Sequence, residues 1–336
     1  MKIIHFFLTS FVAICVLIIF LIKPGINDDP HSKFENMING TAYKPFVYRT
    51  LLPTSTKILS QTVPVEVKES LSKEISESPL LSKIFKKLRW ENELATEYLI
   101  AVLLMFLSLL GFAYAIKYLF VIFYYASNHI TNFISIFALL CLPPFFMYTS
   151  FLYDFPNLFL FTLGLILLVK QQWKIYFPFL FIAIINKETT ILLLIIFFFY
   201  YKDKLSINWF RKLLFFQTVA YLITKLMLSF IFRNNAGSFV EVHLIDHNLR
   251  LINEYNLVTV ATYIVILILI LYKWKEKPEF LKISFAMIIP LLFLALFLGY
   301  IDELRGYYEI YSAFIILVYH SIAKILDIKI NLLYKK

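Results

Sequence analysis

Apolar runs long enough to cross a bilayer, separated by charged or proline-containing stretches, follow one another along most of the chain. They read as helices over Ile3–Ile22, Tyr98–Ile116, Thr131–Tyr148, Asn157–Val169, Leu213–Phe232, Leu257–Tyr272, Ile283–Tyr300 and Tyr307–Ile325. About 20 apolar residues rising about 1.5 Å each match a hydrocarbon core of about 30 Å. The expected fold class is therefore all-α, a polytopic transmembrane helix bundle forming one integral-membrane domain over residues 1–336. The first run follows Lys2 and has no small-residue cleavage pattern before "KPGINDD", so it reads as an uncleaved signal-anchor helix.

One run breaks the pattern. Residues 175–201 are apolar except for Asn186, Lys187, Glu188 and two threonines at the centre. As a single helix this segment would extend about 40 Å, longer than the hydrocarbon core. Crossing once would also send Lys202, Lys204, Arg211 and Lys212 to the opposite side from Lys117, Lys170 and Lys174, and invert every later loop. Two half-helices that enter and leave on the same side, with "NKET" at the tip, remove both problems. The Lys/Arg bias then places Lys273, Lys275, Lys277, Lys282 and Lys324 with the N-terminus on the cytoplasmic side, leaving Arg233, Arg250 and Arg305 outside. Non-helical backbone at membrane depth is tolerated only against protein or a watery cavity, so the tip is expected to line one.

The long polar stretch is Lys23–Glu93, which this topology makes the first extracytoplasmic loop. After Pro64 it carries two helix-like pieces divided by Pro79. Val67, Leu71 and Ile75 recur at four-residue spacing in the first; Leu80, Leu81, Ile84, Phe85 and Leu88 oppose Lys83, Lys86, Lys87 and Arg89 in the second. Basic faces followed by Trp90 suit amphipathic helices at a membrane surface, packed on the bundle or on lipid.

Composition agrees with this picture. Hydrophobic residues make up 60% of the chain, and the mean hydropathy is +0.76. The net charge of +10 follows from basic cytoplasmic loops, and no nucleic-acid partner is inferred from it. The two cysteines, Cys15 and Cys141, sit inside apolar runs and frame neither a disulfide nor a CxxC metal site. No GxGxxG, P-loop or GxSxG stretch appears, which disfavours an enzyme that uses a nucleotide sugar through a cytoplasmic Rossmann domain. "EVHLIDHN" places His243, Asp246 and His247 near one another, but nothing fixes a third metal ligand.

The ionisable residues near the spans fall on the outer side. Asp28 and Asp29 follow the first span, Tyr48 and Arg49 lie in the same loop, and Asp154 precedes the fourth span in "FLYDFPN". Lys187 and Glu188 hold the tip, while Asp302, Glu303, Arg305, Tyr308 and Glu309 lie in "IDELRGYYE". Charges this close to lipid are costly and mark function. Carboxylates accept a proton from an acceptor hydroxyl or hold a divalent metal, and Arg and Lys grip phosphate. Such a set suits sugar transfer from a lipid-phosphate carrier, with the cations stabilising the departing phosphate.

A first span, an acidic pair, a long outer loop with surface helices, "YDFPNLFLFTLGLILL" and "IINKETTILLL" follow in that order. This arrangement resembles the GT-C class of integral-membrane glycosyltransferases, the branch of protein O-mannosyltransferases and lipid A aminoarabinose transferases, over roughly the first two-thirds of the chain. The resemblance implies a catalytic base at Asp28 or Asp29, a second acidic residue at Asp154 and a basic contact at Lys187. It also implies a polyprenyl-phosphate sugar donor, a lipid, glycan or protein acceptor and, in some members, a divalent metal. Tyr48, Arg49, Glu188, Arg305 and Glu309 complete the expected substrate- and phosphate-binding set, although "KPFVYRTLLP" and "ELRGYYE" are not class signatures. The expected location is a bacterial cytoplasmic membrane, with the site facing outward. A lipid-linked glycan polymerase or ligase, and a flippase or transporter, are the alternative readings; the oligomeric state stays open.

Overall fold

The structure is a computed structural model that describes residues 2–146, 148–238, 244–251 and 257–333. Helix α1 (Lys2–Ile22) leads into an irregular segment holding α2 (Phe34–Asn39), α3 (Leu51–Gln61), α4 (Val65–Glu77) and α5 (Pro79–Leu88). Next come α6 (Ala95–Phe123), α7 (Asn128–Leu140), α8 (Asp154–Val169), α9 (Trp173–Asn186), α10 (Ile191–Tyr201) and α11 (Ile207–Ile231). A single turn, α12 (Leu249–Leu251), precedes α13 (Leu257–Leu271), α14 (Glu279–Ala286), α15 (Ile288–Leu298) and α16 (Tyr308–Ile325). Among the described residues the sheet is confined to β1 (Tyr124–Ala126) paired antiparallel with β2 (Ile330–Leu332).

Among the described residues, five helical stretches are long and apolar enough to cross a membrane: Lys2–Ile22, Asn92–Phe123, Asn128–Phe145, Ile207–Ile231 and Glu279–Leu298. Their outward surfaces match that environment. In α1, His5, Thr9, Val12, Val16 and Phe20 recur every three or four residues and face the bundle. The opposite face, with Ile4, Phe7, Phe11, Ile14 and Ile18, is equally apolar and exposed. A helix that is apolar all round but covered on one side only meets lipid on the other.

The central packing is α6 against α8, where Gly111 lets the Phe159 ring approach so closely that a Cβ would sit 2.9 Å from it. On its other side α8 receives α9 and α10 together. Gly164 faces both Leu193 of α10 and Phe179 of α9, and a Cβ there would fall 2.5 Å from Leu193 Cδ1. The two short helices form a hairpin. Trp173, at the start of α9, lies 5.6 Å from the ring of Tyr201, at the end of α10. The reversal is stabilised locally. Lys187 takes extended backbone angles, and the Thr190 hydroxyl donates to the carbonyls of Ala183 and Lys187 at 2.9 and 2.8 Å. Both carbonyls also accept a backbone N–H, from Lys187 and from Thr190 respectively, so the hydroxyl adds a second donor to each.

The basic loop residues gather at the end of the bundle opposite this tip. Tyr201 donates to the Leu168 carbonyl, Lys204 pairs with Glu279, and Lys277 reaches Ser321, which joins the ends of α8, α10 and α16 to the start of α14. The expected span Ile283–Tyr300 is divided at Met287 between α14 and α15. Pro290 accounts for the break, since it lacks an N–H and its ring crowds the carbonyl of Ala286.

The segment after α1 is more ordered than its composition implies. Helices α2 and α3 precede the two amphipathic helices, and α3 packs on α6. Helix α5 begins at Ser78, whose hydroxyl accepts from Leu81 N, and ends at Arg89 in the left-handed region. Ile75, Phe85 and Ala95 form a small separate core, with Trp90 stacked on Tyr98 at 4.6 Å. The amphipathic pair thus packs on the start of α6, while Leu80 and Ile84 stay exposed.

Candidate functional site

Three stretches meet at the hairpin tip. Thr50 N donates to the Ile185 carbonyl and ties the loop after α1 to the end of α9; Asn186 Nδ2 donates to the Tyr153 carbonyl and ties the tip to the start of α8. Arg49 and Glu188 are thereby brought face to face. Arg49 Nε donates to Glu188 Oε2 at 3.2 Å, Nη2 donates to Oε1, and Nη1 donates to the Tyr153 hydroxyl. This is the bidentate geometry that suits guanidinium to planar anions. Three N–H donors are engaged in this way, and a guanidinium carries more. Burial alone would lower the Arg49 pKa, but the adjoining Glu188 and Tyr153 outweigh it and hold the group above its usual value.

A second charged layer lies beside the first. Lys187 Nζ is 3.1 Å from Glu309 Oε1 and 3.9 Å from Asp154 Oδ1, and both carboxylates are fully buried. Glu309 Oε1 also accepts from Asn157 Nδ2 at 2.9 Å and from the Thr189 hydroxyl. Asp154 is the first residue of α8 rather than part of a preceding turn. Its Oδ2 accepts from Ser150 Oγ and Phe151 N, both at 2.8 Å. Asp154 Oδ1, Glu309 Oε2 and Asn186 Oδ1 are buried acceptors without a hydrogen-bond partner. Such groups are uncommon in folded interiors.

Arg305 closes the cluster. Its Nε donates to Glu303 Oε1 at 2.7 Å, and its guanidinium carbon lies 4.1 Å from the Phe151 ring centroid. Phe151 stacks on Tyr153 at 5.3 Å, and Arg49 lies 4.7 Å from the Tyr153 centroid. A stacked aromatic pair therefore carries one guanidinium on each ring. Burial lowers the Arg305 pKa, but Glu303, Asp154 and Tyr153 together raise it above its usual value. Burial pushes the Tyr153 phenol up, against the opposing pull of Arg49 and Arg305.

Of the expected site residues, Arg49, Asp154, Lys187, Glu188, Arg305 and Glu309 come together. Tyr48 is buried nearby, its ring 5.1 Å from Lys225 Nζ. Asp28 and Asp29 make no contact with this cluster among the described residues. Asp28 is exposed, with no hydrogen bond or ion pair among the described residues. Asp29 caps the short turn at Pro30–Ser32 by accepting from His31 N at 2.8 Å. Asp29, next to a helix-starting proline, is bound by its own turn, and that local bond holds it where it is. His247 pairs with Asp302 at 2.9 Å, while Asn248 Nδ2 donates to the carbonyls of Ala295, Leu296 and Gly299 at the end of α15. His243 and the side chain of Asp246 lie outside the described residues.

Lys225, Tyr153, Asn157 and Thr189 complete the cluster, and none was marked by the sequence pattern. For Lys225 a signal existed, as the single charged residue within the apolar run Leu213–Phe232. Tyr153, Asn157 and Thr189 carry no such mark, because uncharged polar residues are unremarkable near helix ends.

The donor chemistry does not fit a divalent metal at this cluster. Among the described residues no three His, Cys, Asp or Glu side chains converge, and the Lys187 ammonium already contacts both Asp154 and Glu309. An apolar groove of about 390 Å³ leads away from the tip between α10 and α11, lined by Ile191, Leu194, Phe198, Leu214 and Leu222. Tyr221 stands in its wall and donates to the Glu188 backbone carbonyl at 3.2 Å, which ties that wall to the hairpin tip. No family model, curated protein or solved structure matches the chain.

Proposed function

We propose that this chain is a multi-pass membrane glycosyltransferase that moves a sugar from a polyprenyl-phosphate donor to a lipid, glycan or protein acceptor. The observation that carries this reading is the junction of the apolar groove with the Arg49–Glu188–Lys225 group. A lipid-linked phosphate needs an apolar channel close to fixed cations; Tyr221 in the groove wall bonds the Glu188 backbone, and the Glu188 carboxylate is held by Arg49. The hairpin of α9 and α10 is then a re-entrant pair. The lysine-rich end faces the cytoplasm, and the charged cluster opens on the other side.

In this reading the isoprenoid tail lies along Leu194 and Leu222, and the phosphate takes the remaining donors of Arg49 together with Lys225. The acceptor hydroxyl attacks the anomeric carbon, and the carbon–oxygen bond to phosphate breaks with its electron pair passing to the phosphate. Asp154 Oδ1, which has no competing hydrogen bond, takes the hydroxyl proton. The stacked guanidiniums stabilise charge on the leaving group without reorganising.

The test is release of polyprenyl phosphate by the full chain in liposomes, measured across a panel of polyprenyl-phosphate sugars. At least one donor is expected to be consumed. Asp154→Asn is expected to slow release by about 10²–10⁴-fold at unchanged membrane abundance, with Asp28→Asn and Asp29→Asn close to wild type. Consumption of no donor in the panel, or movement of labelled donor across the bilayer without a covalent product, would remove the enzyme reading. A collapse confined to Asp29→Asn would return the base to the first loop.

A further inference from the structure

The opposite end of the bundle holds a second site of different character. A cavity of about 700 Å³ lies between the β1–β2 ribbon, the start of α14 and the last turns of α16. Its walls include Lys275, Lys277, Lys282 and Lys324 against two carboxylates, Glu276 and Glu279. Both carboxylates are engaged by lysines outside this wall: Glu276 pairs with Lys273 at 3.9 Å, and Glu279 pairs with Lys204. Lys277 is buried and committed to the protein, with Nζ donating to the carbonyls of Ile270 and Leu317 and to Ser321 Oγ at 2.6–2.9 Å. That leaves Lys275, Lys282 and Lys324, none of which has a carboxylate partner among the described residues; Lys282 is 5.9 Å from the Trp274 ring centroid.

The polar back wall is unusual. His320 is fully buried, lines the cavity, and has no hydrogen-bond partner at either ring nitrogen. Tyr124 is 1% exposed, also lines the cavity, and its hydroxyl has no partner. The two rings are 5.5 Å apart. Folded interiors rarely leave such groups unsatisfied without a bound species to meet them. A recess that combines three uncompensated ammonium groups at its mouth with two buried hydrogen-bonding side chains at its back favours a small multivalent oxyanion. Phosphate meets lysine as a point charge and accepts hydrogen bonds from neutral donors at the same time.

We propose that this cavity binds a phosphate-bearing anion, with Lys275, Lys282 and Lys324 neutralising it and His320 and Tyr124 donating hydrogen bonds to its oxygens. Because the cavity lies where several apolar helices end, the phosphate can arrive as an anionic phospholipid headgroup or as soluble phosphate. The cavity shares no lining residue with the Arg49 cluster.

The full chain in phosphatidylcholine nanodiscs tests this in two arms. One measures retention of radiolabelled inorganic phosphate; the other measures phosphatidylglycerol retained from mixed nanodiscs after extraction. Saturable binding is expected in at least one arm, and the arm that saturates identifies the source. Lys275→Gln with Lys324→Gln is expected to weaken it at least tenfold. His320→Phe, which leaves every lysine in place, is expected to weaken it at least threefold. Lys174→Gln with Lys202→Gln removes two exposed lysines from the same end and is expected to change binding less than twofold. No saturable binding in either arm, equal losses in the two double variants, or full retention in His320→Phe would overturn the site. Should His320→Phe fail to fold, His320→Gln replaces it, and unchanged binding in Lys275→Gln with Lys324→Gln alone would be decisive against the site.

Discussion

The two ends of the bundle treat charge in opposite ways. Around the hairpin tip, Arg49, Lys187 and Arg305 each touch a carboxylate, and the aromatic pair Phe151–Tyr153 supports two of them. At the far end, lysines surround a cavity whose acidic residues are held by other lysines, and the deepest polar groups have no partner. Burial explains the contrast. A charge deep among apolar helices must be neutralised within the protein, whereas one near the bundle's edge is free to wait for an external anion. The paired end is therefore expected to be the more sensitive of the two in stability.

The strongest way to break this contrast is Arg49→Met, which leaves Glu188, 29% exposed, without its fork. Removing one member of a fully buried pair typically costs about 3–5 kcal/mol, and the partial exposure of Glu188 trims that to about 2–4 kcal/mol. Unfolding in mixed micelles should show a loss of that order, largely recovered when Glu188→Leu is added. An additive double variant would mean the two residues do not act as a pair. A smaller effect is expected for Lys277→Met, whose ammonium serves two carbonyls and a hydroxyl at the cavity floor. The stranded acceptors should cost about 1–3 kcal/mol in the same assay. The smallest belongs to Lys204→Gln, which breaks a pair whose members are 36% and 47% exposed. Its unfolding midpoint should move by less than about 1 kcal/mol equivalent. If Lys204→Gln were as damaging as Arg49→Met, depth would not be what separates the two ends.

Much of this arrangement was legible in the sequence because membrane-length runs are constrained by length and by loop charge. The hairpin followed from an excess of about 10 Å in one helix and from the side on which Lys202 and Lys204 had to emerge. Asp154 and Lys187 stood out as ions beside or within apolar runs. What stayed hidden depended on distances between remote segments. The Arg49–Glu188 fork joins residues far apart in the chain, and no local periodicity links them. Asp28 and Asp29 looked equivalent to Asp154 by position, yet a turn bond to His31 N holds Asp29 at the loop surface. Helices α2 and α3 were concealed by a stretch rich in Thr, Ser and Pro, whose local preferences were overridden by packing on α6. The cavity at the lysine end was invisible, since it needs the β1–β2 ribbon to bring Ile330 alongside Ala126.

Gly164 has no functional group, yet its bare backbone sets the clearance at which both arms of the hairpin rest against α8. Any added carbon there would act as a wedge at the waist of a lever whose head carries Lys187 and Glu188. The spacing between cations and carboxylates several turns away is thus gauged by a residue that touches none of them, and shape at that point sets the geometry of the charged cluster without any change in charge.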